Sequence, residues 1–64
     1  MFFNIEVERL RRHMTKANMA SHLAVSTEEL DNWISRREAI PAEKLRGLAR
    51  LFKGCSIDYL LCEW

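Results

Sequence analysis

Two histidines and two cysteines are the residues of this 64-residue chain best suited to hold a metal or to act as nucleophile and base: His13, His22, Cys55 and Cys62. Their spacing argues against both uses. The cysteines stand seven positions apart, with no CxxC and no histidine at ligand spacing from either, so they read as buried or half-buried apolar residues. The histidines read as surface or boundary residues. A Ser- and His-bearing stretch, "MASHLAVS", falls on a short helix with no third group to orient a triad, and no Gly-rich phosphate loop occurs. The expectation is a chain without catalysis, cofactor or metal. A different set of polar residues is more informative. Thr27, Glu28, Asp31, Asn32 and Ser35 recur on one side of a helical pattern whose other side carries Leu30, Trp33 and Ile34. That polar side is either a wet surface or a face that reads something outside the protein.

The elements that must present this face follow from composition and local signals. Sixty-four residues make one domain, near the lower limit for folding without disulfides or metal. The apolar fraction is 48% and the charged fraction 30%, which suits a globule rather than a disordered tail. Two Gly and one Pro leave little material for tight turns, and Leu, Ala, Glu, Arg and Met favour helix, so the fold class is all α. Helix 1 is expected over about Asn4 to His13, capped by Asn4, with Ile5, Val7, Leu10 and Met14 facing inward and Phe2 and Phe3 as lead-in. Thr15 caps a short helix over about Lys16 to Leu23 that buries Met19, Ala20 and Leu23. Ser26 and Glu29 have the spacing of a capping box and open helix 3, about Thr27 to Arg36, with Trp33 in the core. Pro41 suits the first turn of helix 4, which buries Leu45, Leu48, Ala49, Leu51 and Phe52 and stops at Gly54. Ser56 caps a last short helix holding Ile57, Leu60 and Leu61.

Net charge is only +1, so bulk basicity gives no sign of a nucleic-acid partner and the distribution of charge must decide. Arg9, Arg11, Arg12 and Lys16 cluster early, Arg36 and Arg37 follow helix 3, and Lys44, Arg46, Arg50 and Lys53 stud helix 4. The opening "MFFNIEVERL" is interrupted by Glu6, Glu8 and Arg9, which excludes the apolar centre of a signal peptide. No stretch approaches membrane-span length. These features point to the cytoplasm and to reduced cysteines.

A short helix, a three-residue turn and a capped second helix have helix-turn-helix spacing, here over about residues 16–36. Alone that signal is weak, but "MTKANMASHLAVSTEELDNWISRREAIPAEKLRGLARLFKGCSIDYLL" resembles end to end the DNA-binding domain of phage repressors and Cro proteins, within the family of regulators named after the xenobiotic response element. Ala20, Val25-Ser26, Leu30, Trp33, Pro41, "LARLFKG" and "SIDYLL" carry the likeness, which covers about fifty residues. It implies a five-helix repressor-like domain spanning residues 1–64, whose helix 3 reads the major groove. Thr27, Glu28, Asp31 and Asn32 would then face bases. Thr15, Lys16, Ser26, Arg36 and Arg37 would face phosphates. The chemistry suits this: Asn32 can pair twice with an adenine edge, Glu28 can accept from cytosine N4, and Thr27 can touch a thymine methyl. Ala24 stands where the family commonly has Gly, so a left-handed position is either occupied under strain or rebuilt. Lys16 replaces a frequent Gln, and Ile34 a frequent Glu.

The resemblance implies sequence-specific binding of double-stranded DNA by a small regulator of phage or mobile-element type. Such domains bind as two-fold dimers, and Tyr59, Cys62 and Trp64 offer apolar surface for a homodimer, unless Trp64 folds back on helix 1. The starting Met and the lack of a trailing linker favour a complete small protein over a fragment of a longer repressor. An acidic helix 3 and near-neutral net charge favour another reading, in which the same fold serves as a protein-interaction module such as an antirepressor or partner-binding subunit.

Overall fold

Hydroxyl caps open three of the five helices in residues 1–63, the part of the chain that the computed structural model describes. In chain order the helices are α1 (Phe3–Arg11), α2 (Lys16–Leu23), α3 (Thr27–Ile34), α4 (Ala42–Leu51) and α5 (Ile57–Leu60), with no strand among the described residues. Thr15, Ser26 and Ser56 accept the amides of Asn18, Glu29 and Tyr59, each at 3.0 Å. A cap of this kind contributes ~1 kcal/mol. The return bond of a capping box, from Glu29 to the Ser26 amide, is not formed. Pro41 lies one residue earlier than its expected place in the first turn: it precedes α4, and its carbonyl accepts the amides of Lys44 and Leu45 at 2.9 and 3.0 Å.

Helix ends follow a second shared device. Behind α2, the Ala24 amide bonds to the Ser21 carbonyl (3.1 Å) and the Val25 amide to Ala20 (3.0 Å), the paired bonds of a Schellman motif. His13 and Met14 close α1 in the same way on Leu10 and Arg9, and Arg36 and Arg37 close α3 on Trp33 and Asn32. In each motif the pivotal residue is left-handed and not glycine: His13 at φ 55°, Ala24 at φ 59° and Arg36 at φ 68°. The expected left-handed position at Ala24 is therefore occupied, not rebuilt. α3 stops at Ile34, two residues short of expectation, and Arg36 lies in the turn beyond it. α4 stops at Leu51, and Gly54, at φ 92°, redirects the chain toward α5.

The core is built from Ile5, Met19, Ala20, Leu23, Leu30, Trp33, Ile34, Leu48, Phe52 and Leu60. α2 lies between α3 and α4, and α1 bridges α3 and α5. Gly47 lets α4 come close to α2: a Cβ there would stand 3.0 Å from Leu23 Cδ2. Ala49, expected inside, is exposed.

The largest departure from expectation is α1. Val7, Leu10 and Phe3 face outward, and Asn4 is not a cap but a buried residue within the helix. Of the expected inward residues Ile5 is buried and Met14 half-buried against the core; the rest of the inward side is Asn4, Glu8 and, half-buried, Arg12. Asn4 Nδ2 donates to the Tyr59 carbonyl at 2.6 Å, the Tyr59 hydroxyl donates to Glu8 Oε2 at 2.8 Å, and Arg12 Nη1 donates to Glu8 Oε1 at 2.6 Å. Arg12 also covers the Phe52 ring, 4.9 Å from its centroid. No buried side-chain nitrogen or oxygen among the described residues lacks a partner. The polar side of α1 turns inward because α5 supplies the complementary groups.

Two expectations follow. Replacing Ala24 by Gly removes the Cβ clash of the left-handed state and should raise stability by about 1 kcal/mol, read as a higher thermal midpoint. Arg12, then the Tyr59 hydroxyl, hold the Glu8 carboxyl below its ordinary 4.5. A carboxyl lowered by folding stabilises at neutral pH, and that contribution is lost as pH falls from about 4.5 through the folded value. Glu8→Gln should therefore be less stable at pH 7 and show a flatter acid limb in urea titrations across pH 2–7.

Candidate nucleic-acid interface

Burial of Leu30, Trp33 and Ile34 determines which side of α3 meets solvent. The outward residues are Thr27, Glu28, Glu29 and Asp31, with Asn32 half-buried at the edge and Ser35 exposed just past the helix. α2 meets α3 across Ala24, Val25 and Ser26, so the two helices are held as one unit by the Schellman turn and the Ser26 cap. Ser26 is exposed, but its oxygen is engaged by the Glu29 amide. Thr15 is placed alike at the start of α2, where its hydroxyl also donates to Asn18 Oδ1 at 2.7 Å.

Lys16 and Asp31, expected to face different parts of a partner, face each other. Lys16 Nζ donates to Asp31 Oδ1 at 2.7 Å and lies 3.7 Å from Glu6 Oε1. The hydrogen bond to Asp31 raises the lysine's pKa, so its charge is secure at neutral pH. One carboxylate at the front of α3 is thereby neutralised from within. Glu28 has no such donor among the described residues.

Asn32 is tied to the loop that follows. Its Nδ2 donates to Glu38 Oε1 at 2.7 Å. Its carbonyl accepts the Arg37 amide at 2.8 Å, the Glu38 amide at 3.2 Å and the Ser35 hydroxyl at 3.4 Å. An ionised carboxylate can only accept, so the amide nitrogen must face Glu38. One further N–H and Oδ1 are left for an outside group. Glu38 was not among the expected site residues; it lies six positions on, beyond α3, and only the loop's return brings it near. Together with Ser26, Glu28, Glu29 and Asn32 it lines a shallow recess rich in acceptors.

The two arginines after α3 have separate fates. Arg36 Nη1 pairs with Glu63 Oε1 at 2.5 Å, and its guanidinium lies over the Phe2 ring at 5.4 Å. Arg36 and then the N-terminal amine hold the Glu63 carboxyl below its ordinary value. Arg37 is exposed and forms no ion pair among the described residues. Of the residues expected at a dimer interface, Tyr59 is partly exposed with its hydroxyl bound to Glu8, which pushes the phenol's pKa up. Cys62 is exposed, and Trp64 lies outside the described residues.

What this surface can do is form hydrogen bonds and ion contacts. No group of three His, Cys, Asp or Glu among the described residues is placed to hold a metal ion, and no described helix is long and apolar enough to cross a membrane. A scan against family models and searches of curated proteins and solved structures found no match to this chain.

The Lys16–Asp31 pair is 42% and 52% exposed, so solvent screens it. Lys16→Gln and Asp31→Asn should each change unfolding free energy by less than ~1 kcal/mol in chemical denaturation. A larger loss would mark the pair as a structural clamp.

Proposed function

We propose that this chain binds double-stranded DNA in a sequence-dependent way, as a small transcriptional regulator of the phage-repressor and Cro type, with α3 in the major groove. The observation that carries the reading is the α2–turn–α3 unit. Two eight-residue helices are joined by three residues, each helix is opened by a hydroxyl cap, and hydrogen-bonding side chains lie opposite a buried Leu30–Trp33–Ile34 stripe. A helix held this way can enter a groove as a rigid body.

In this reading Thr27, Glu28 and Asn32 meet base edges and Arg37 meets the backbone, with Thr15, Lys16 and Ser26 near phosphates at the starts of α2 and α3. Arg36 contributes less, because Glu63 and Phe2 already occupy it. Asp31 acts through Lys16. Its carboxylate would otherwise repel a phosphate, and the 2.7 Å bond offsets that charge. Two copies would occupy a two-fold symmetric site in the cytoplasm, with no cofactor.

A specific observation favours a second reading. Glu28, Glu29 and Glu38 line one recess beside Asn32, a surface suited to lysine or arginine side chains, so the same unit could dock a basic protein partner. Salt separates the two only in part, because both contacts are ionic. Sequence preference separates them fully.

The test is selection of bound duplexes from a random-sequence pool at low and physiological salt. DNA binding predicts recovery of a two-fold symmetric motif and an affinity that falls steeply with salt. Asn32→Ala should then relax preference at one base position, at about 1–3 kcal/mol of discrimination. Arg37→Ala should weaken all sequences alike and reduce the salt slope by about 1. Recovery of no motif by a folded sample would sink the reading and favour the basic protein partner.

A further inference from the structure

α1 has a face that no other described residue covers. Phe3, Val7 and Leu10 are 46%, 40% and 62% exposed and stand at i, i+4 and i+7, so they form one apolar stripe; Met1, 48% exposed, precedes it. The same helix buries Ile5 and Glu8 on its other side, so the stripe belongs to a firmly packed element and not to a fraying end.

Charge flanks this stripe on both sides, with opposite signs. At 100° per residue, Glu6 falls on one flank and Arg11 on the other, each roughly 70° from the stripe's centre. In heptad terms Phe3 and Leu10 are d, Val7 is a, Glu6 is g and Arg11 is the following e. A β-branched residue at a, Leu at d, and opposite charges at g and the next e are the features by which two parallel helices select each other. Arg11 is open to such a contact, whereas Glu6 is 16% exposed and reaches it through one oxygen. Arg11 is 69% exposed, with its nearest carboxylate, Glu8, at 3.5 Å. Glu6 uses Oε2 for Arg9 at 2.7 Å, while Oε1 has only the longer 3.7 Å approach of Lys16.

We propose that the outer face of α1 is the surface through which two copies of this chain associate, side by side and parallel about a two-fold axis along the helix. Val7 and Leu10 meet their own counterparts, and Glu6 of each copy faces Arg11 of the other. This places the contact on α1 and not on Tyr59, whose hydroxyl is engaged by Glu8. It does not rest on the DNA reading. The stripe offers on the order of 300 Å² of apolar surface, within the range of functional patches on small proteins. That is well short of the ~800 Å² per partner of stable complexes, so the association is weak and is populated only at high protein concentration.

Sedimentation equilibrium from ~10 μM to ~1 mM tests it without DNA. The expected mass rises from 7.6 kDa toward twice that value. Leu10→Glu should stay at the mass of one chain throughout, with its melting curve at ~10 μM unchanged because the side chain lies outside the core. Leu10→Cys, combined with Cys55→Ser and Cys62→Ser, should crosslink to itself under mild oxidation, since parallel pairing sets position 10 against itself, whereas antiparallel pairing centred on Val7 would set it near Phe3. A natural chain still single at ~1 mM overturns the proposal. So does a dimer that Leu10→Glu leaves intact, and a dimer without the self-crosslink overturns the parallel arrangement.

Discussion

The buried carboxylate of Glu8 is the constraint on which the rest of this small fold depends. A charge removed from water must be paired and hydrogen-bonded or it destabilises the folded state. Here Arg12 and the Tyr59 hydroxyl take one oxygen each, at 2.6 and 2.8 Å. One of these partners lies a single turn away and the other 51 positions on, so the same carboxylate sets the rotation of α1 and docks α5. Arg12 extends the arrangement to the end of α4 through the Phe52 ring. With α1 so oriented, Ile5 enters the core beside α3, and Phe2 can donate its amide to the Ile34 carbonyl at 2.9 Å. The position of α3 is thus braced from behind by a polar contact.

The same contact explains where reading the sequence succeeded and where it did not. α2, both flanking caps, the Ser56 cap and most of the core were legible because their signals are local: a hydroxyl three residues before an amide, or apolar residues at helical spacing. In and just after α1 the apolar residues Ile5, Val7, Leu10 and Met14 were expected inside. The chain buries Ile5 and half-buries Met14, but it leaves Val7 and Leu10 outside and buries Asn4 and Glu8. Nothing within α1 indicates that Tyr59 would satisfy these two polar residues. The boundary of α3 was overrun for a related reason. Arg36 and Arg37 suit the last turn of a helix, but a left-handed Arg36 ends it, held by Phe2 and Glu63 from the two ends of the chain.

At the candidate interface, residue types were legible and pairings were not. Glu28, Asp31 and Asn32 all fell on the outward side of α3, as the periodicity required. Whether each presents a free group depends on partners from other elements. Asp31 is matched by Lys16 of α2, Asn32 is held by Glu38 of the loop, and Glu28 has no matching cation among the described residues. The three therefore differ in kind. Asp31 is a damped charge and Asn32 an amide with its orientation fixed. Glu28 is a bare acceptor that any partner must either meet with a donor or avoid.

Three helices end on left-handed residues that are not glycine, each disfavoured by ~1–2 kcal/mol. In a domain this small such strain persists only if neighbouring contacts over-determine each corner. At all three corners those contacts include a cation. Arg9 Nη1 donates to the Met14 carbonyl at 2.8 Å beside His13, Lys44 Nζ donates to the Leu23 carbonyl at 2.7 Å beside Ala24, and Arg36 supplies its own guanidinium to Glu63. Cations at helix C-termini also complement the dipole and satisfy carbonyls that the helix leaves unpaired. Three of the ten Lys and Arg are therefore occupied at helix ends, while Arg37, Arg46, Arg50 and Lys53 are exposed and form no ion pair among the described residues. Any partner that reads α3 must find its affinity in the few cations left over, with Arg37 foremost among those beside that helix.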